Sequence, residues 1–287
     1  MKKIKDDYLT TLQTSLIPII DSVKSSSGSH QQKAKQINNE ISKIRQDLVN
    51  DIMKNSDASE RQYRLIILQY CVSVVSLEYR HAVWPYEYMA LSRRVGELWE
   101  RFCTAAWDVP SKPDVERIKS PKFVDVIKEI EKTLIGYVSS EYFDKAQKII
   151  DDMGDLIGEI NMVEDEMFKV GDIPHIIDFK SGFGSNEKGN MLRLRTVGKA
   201  YRLWNPQTVL LFLVRQDQNN NYLEVIKRDN MWEVHCGGNA YKKIEDITGA
   251  PMNDIRENVI DFENDLSKKF WTDLSGNLSD LSGYLKW

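Results

Sequence analysis

The sequence predicts an α/β protein with an N-terminal helical region, on three observations. Up to about residue 157, apolar residues recur at helical spacing. After Gly158, short apolar runs bounded by turn residues take over, the pattern of strands. A composition of 41% hydrophobic and 29% charged residues, with seven Trp and twelve Tyr in 287, suits a globular chain with a sizeable core.

Taken in order, residues 3–24 and 33–54 read as polar amphipathic helices joined by the flexible stretch "SSSGSHQQ". Residues 60–82 form a more apolar helix, and "AVWP" breaks it. Pro85 suits the first turn of the next helix, "YEYMALSRRVGELWERFCTAAW". Tyr88, Leu91, Val95, Leu98, Trp99 and Phe102 form its apolar face. Two further helices are expected at 121–137 and 141–157. "EMFKV", "HIIDFK", "TVLLFLVRQ", "YLEVIKR" and "WEVHC" read as strands, with the helix "NMLRLRTVGKAYRLW" between the second and third. That order implies a mixed central sheet flanked by helices, with hairpins where loops are short and one helical crossover. The expected organisation is a helical region at 1–84, a core at 85–250 with a helical insertion at about 121–157, and a helical tail at 251–287.

Charge and cysteine usage exclude several classes. A net charge of −4 leaves no overall polyanion-binding surface, so a nucleic-acid contact requires a local basic face. Cys71, Cys103 and Cys236 are odd in number and far apart, which fits a reducing compartment and no thiolate zinc site. The four His are equally scattered, so a metal site has to be built from oxygen ligands, as suits Mg²⁺. "MKKIKDDYLTTLQTSLIPII" lacks the character of a signal peptide, and "LIILQYCVSVVSL" is too short and polar to span a bilayer. A cytoplasmic protein without membrane contact is expected.

One constellation carries chemistry. In a strand, alternate side chains share a face, so Ile176, Asp178 and Lys180 of "HIIDFK" point one way. A carboxylate there can ligate a divalent cation, and an ammonium beside it can orient water for phosphodiester hydrolysis. A second carboxylate is needed from a neighbouring strand. If "EMFKV" and "HIIDFK" pair around "GDIP", Asp165 comes level with Asp178; a register error of one residue puts Glu166 there instead.

Asp165 followed by "IIDFK" resembles the PD-(D/E)xK nucleases, the superfamily of many type II restriction endonucleases. There the motif sits on a hairpin followed by a helix and another strand, and "GNMLRLRTVGKAYRLW" and "TVLLFLVRQ" supply that order. The family's opening helix often carries an acid in a G-x-x-h-E pattern, matched by Gly96 and Glu100. No Pro precedes Asp165, and the acid of the D-x-K is Asp rather than the commoner Glu. The resemblance spans roughly residues 86–236. It implies a restriction-endonuclease-like core and an Mg²⁺-dependent endonuclease cutting double-stranded DNA by in-line displacement. Asp165, Asp178 and the Phe179 carbonyl would hold the metal, Lys180 would assist water, and Glu100 would be the further acid. Symmetric cutting implies a homodimer.

Each signal has a plainer reading beside it. Asp178 and Lys180 can be an ion pair on a strand. Lys188, in "SGFGSNEKGN", can meet a phosphate or simply end a turn. Arg193, Arg195, Lys199 and Arg202 make the most basic helix of the chain, either a phosphate-contacting stripe or a solvated face. The rival functions are a non-catalytic interaction protein with an α/β scaffold, and a nuclease of repair or phage defence with another nucleic-acid target.

Overall fold

The computed structural model describes residues 1–182, 188–217, 221–275, 283 and 285–287. In chain order its helices and strands are α1 (Lys2–Ser25), α2 (His30–Asn55), α3 (Ala58–Val83), α4 (Tyr88–Thr104), β1 (Val115–Arg117), α5 (Phe123–Ile135), α6 (Phe143–Ile157), β2 (Glu166–Val170), β3 (Ile173–Lys180), α7 (Lys188–Trp204), β4 (Val209–Val214), α8 (Asn221–Asp229), β5 (Glu233–Cys236), α9 (Gly238–Thr248), α10 (Met252–Asn258), α11 (Phe262–Asp265) and α12 (Lys268–Ser275). They form two compact units: Met1–Pro113 together with Gly237–Trp287, and Asp114–Cys236. The sheet unit is narrower than the expected 85–250, because α4 and α9 both belong to the helical unit.

In the helical unit, α1 buries Leu9, Leu12, Leu16, Ile20 and Val23, a stripe at intervals of three and four. α2 starts at His30, inside the stretch read as a linker. Ser29 accepts the Gln32 amide and the Gln32 side chain accepts the Ser29 amide, a capping box that halts fraying there. α4 starts at Tyr88 rather than at Pro85. α3 is buried on every side from Leu65 to Leu77, because it packs on α1, α2 and α4. Lys5 bonds Asp265 at 2.9 Å, and Tyr70 donates to the same carboxylate at 2.6 Å. Trp287 packs edge-on against Phe262, 4.7 Å between ring centres, so the end of the tail is core. The middle of the tail, 276–282 and 284, lies outside the described residues. Among the described residues no helix is long and apolar enough to cross a membrane.

The sheet unit is built on five strands in the order β1-β2-β3-β4-β5. β2 runs antiparallel to both β1 and β3, while β3, β4 and β5 are parallel. The mixed sheet and the α7 crossover follow the sequence expectation. β1 does not; "VER" is too short and too charged to read as a strand. "YLEVIKR" is helix α8, not a strand. Leu223 and Ile226, three apart, are buried while Val225 is 38% exposed, so helical spacing outweighs the apparent alternation.

α7 lays Leu194, Val197 and Tyr201 on the sheet face that carries Ile176, Leu210 and Phe212. It comes closest at Gly198. A Cβ there would lie 2.6 Å from Met231 Sδ, 2.8 Å from Trp232 Nε1 and 3.2 Å from Leu210 Cδ1. Met231 can move, but Trp232 is held by its bond to the Leu194 carbonyl at 2.9 Å. Gly198→Ala should therefore lower unfolding free energy by about 1 kcal/mol or more, since overpacking outweighs the roughly 1 kcal/mol gain in helix propensity. Urea unfolding measures this; an unchanged midpoint would show that α7 can lift from the sheet without cost.

Candidate active site

The site is positioned by the β2–β3 hairpin. Val170 pairs with Ile173, leaving a two-residue turn, Gly171–Asp172. Gly171 has φ +60°, as the first turn residue of a II′ hairpin requires. The turn sets the register: Glu166 opposes Ile177 and Met167 opposes Ile176. One step further, Asp165 falls opposite Asp178, and its Oδ2 accepts the Phe179 amide at 2.6 Å. Glu166 points to the other face, where Arg117 on β1 grips both its oxygens at 2.8 and 2.9 Å. The register thus separates the two acids left open by the sequence: Asp165 attends Asp178, and Glu166 is engaged elsewhere.

Asp178 is 2% exposed. Its Oδ2 accepts from the Arg193 guanidinium, and its Oδ1 is buried with no hydrogen-bond partner. Arg193 also reaches both oxygens of Glu164 at 2.8 and 3.0 Å. Glu164 is a third acid that sequence reasoning passed over. In an extended strand it would share the face of Glu166, but β2 begins only at Glu166 and the chain bends at Asp165, which turns Glu164 back toward Asp178. Tyr201 on α7 donates to the Met162 carbonyl and ties this irregular segment to the helix that carries Arg193. Lys180, half-buried, shares the strand face of Asp178. Arg215, just past β4, was also overlooked; it is buried and its Nε donates to Ser181 Oγ at 3.0 Å.

The other expected residues are dispersed. Glu100 lies half-buried on α4 in the helical unit. Arg195 pairs with Asp229 at 2.8 Å, Arg202 donates to the Pro206 carbonyl at 3.1 Å, and Lys199 is exposed beside an apolar groove. Arg193, expected on a phosphate, is inside the carboxylate cluster instead. Of the loop "SGFGSNEKGN", Phe183–Glu187 and the Lys188 side chain lie outside the described residues.

Three carboxylates here face one guanidinium and one ammonium, and the acidities reflect that deficit. Burial, then the adjoining Asp178 carboxylate, push Glu164 up to about 8 against the pull of Arg193. Asp165 is exposed as a residue, yet its carboxyl is tucked against β3. Desolvation there and the charge of Asp178 raise it to about 6, against the Phe179 amide, Lys180 and Arg193. Among the described residues no three His, Cys, Asp or Glu side chains stand as a ready metal-ligand set. The donor chemistry nonetheless fits a hard cation: all-oxygen ligands, surplus negative charge and an orphaned buried Asp178 Oδ1.

Both raised acids bind more protons folded than unfolded, so their contribution to stability is greatest at low pH and falls as pH rises. For Glu164 the window runs from its ordinary 4.5 to about 8. Glu164→Gln removes this titration, so the melting temperature of the variant relative to the parent should climb between about pH 5 and pH 8. Scanning calorimetry across that range tests it; a constant difference would show that Glu164 does not titrate there.

No protein-family model, curated protein or solved structure matches the chain.

Proposed function

We propose that the chain is an Mg²⁺-dependent endonuclease of double-stranded DNA, of the type II restriction kind, with a restriction-endonuclease-like core in the Asp114–Cys236 unit. The observation that carries this reading is the meeting of Asp165, Asp178 and Lys180 at one end of the β2–β3 hairpin, with Asp178 Oδ1 buried and unpartnered. The succession of hairpin, α7 and a parallel β4 supports it, being the order the family resemblance implies.

In this reading Asp165, Asp178 and the Phe179 carbonyl would hold the ion. When bound, Mg²⁺ would supply charge stabilisation for the phosphate and make neighbouring water more acidic. Lys180, two residues from Asp178 on β3, would orient the attacking water. Arg193 compensates Asp178 and Glu164 while the site is free of a cation. Lys188, Arg195, Lys199 and Arg202 contact backbone phosphates, and two copies of the chain cut the two strands.

The rival reading, a non-catalytic scaffold, draws on Arg193 itself, which already neutralises Asp178 from within the protein. Incubation of plasmid with the protein and Mg²⁺ separates the two. Cleavage that stops with EDTA is expected, with discrete fragments for a restriction enzyme and a smear for a less selective nuclease. Asp178→Asn and Lys180→Ala should each lower the rate by about a hundredfold or more, while Glu166→Gln leaves it near the parent value. No cutting of any DNA or RNA would favour the scaffold, and full activity in both site variants would remove the assignment.

A further inference from the structure

We infer that the helical unit carries a second binding site, a polar pocket for the phosphoryl group of a phosphorylated small molecule. The pocket lies among α2, α3 and α4 and encloses about 540 Å³, within the size range of small-molecule sites. Three guanidiniums line it, from Arg45, Arg94 and Arg101, in a chain whose net charge is −4. The only lining carboxylate is Asp108, at an exposed position.

Two of the three arginines, Arg45 and Arg101, make no ion pair among the described residues, and the third is paired only at the solvent-facing side. Arg45 donates to Gln69 Oε1 at 3.0 Å, a neutral acceptor that fixes the side chain and leaves its charge uncompensated. Arg94 meets Glu97 at 3.2 Å, but that carboxylate is 46% exposed, and Arg94 Nε is buried with no partner. Arg101 makes no ion pair among the described residues and is exposed at the pocket. Like charges brought together repel, and a multiply charged oxyanion converts that repulsion into attraction. The planar fork of each guanidinium suits a phosphate, whose oxygens accept paired donors. The concavity favours a compact ligand such as a nucleoside phosphate over a duplex. The site shares no residue with the carboxylate cluster and does not depend on the nuclease reading.

Titration of the whole chain with inorganic pyrophosphate tests this, followed by calorimetry and by thermal shift at matched ionic strength. Saturable binding with a raised melting temperature is expected. Arg101→Ala, a change at an exposed position that leaves the bundle intact, should weaken binding about tenfold or more. Arg45→Lys, which keeps the charge but loses the fork, should weaken it less. Three results overturn the proposal: no thermal shift beyond that given by sodium chloride, unchanged binding in Arg101→Ala, or displacement of pyrophosphate by duplex DNA at equal phosphate concentration.

Discussion

The constraint on which the candidate site depends is the register of the β2–β3 hairpin. A two-residue turn led by Gly171 pairs Val170 with Ile173, and every later pairing follows from it. A slip of one residue would exchange the faces of Asp165 and Glu166. Arg117 resists that slip from the far side, because its grip on Glu166 would then be lost on a buried face. The register is thus guarded twice, by backbone geometry at the turn and by a charge-assisted pair at the open end.

The second organising element is the balance of charge. Glu164 and Asp178 have side chains only 1% and 3% exposed, a placement that is costly unless each finds a cation. Arg193 serves both, and burial, together with the remaining deficit of positive charge, makes Glu164 and Asp165 weaker acids. The cluster takes up a proton wherever a cation is lacking. Ligand affinity and proton affinity in such a place are two measures of one electrostatic potential.

Much of this was legible in the residues. Alternation in "HIIDFK" put Asp178 and Lys180 on one face, and the spacing of "EMFKV" put an acid within reach; both depend only on strand periodicity and a short turn. Glu164 was not legible, because it lies where the strand gives way to a bend and periodicity no longer applies. Arg193 read as one member of a basic helical stripe. Its partners come from residues 15 and 29 positions earlier in the chain, a proximity that only tertiary packing creates. The helix α8 was misread because Leu223, Val225 and Ile226 satisfy strand and helix patterns alike over so short a span. The division between units was not legible either, since the passage from β5 into α9 is only the pair Gly237–Gly238, which reads equally well as an ordinary turn.

The tight seat of Gly198 reaches beyond packing. Arg193 precedes it on the same helix by five residues, about 7.5 Å along the axis. The depth at which α7 rests on β4 therefore governs how far the guanidinium must extend to meet Asp178. The absence of a side chain at one buried helical position acts as a spacer gauge for the carboxylate cluster. A side chain at 198 would therefore act on the seat of Arg193 as well as on the packing of the core.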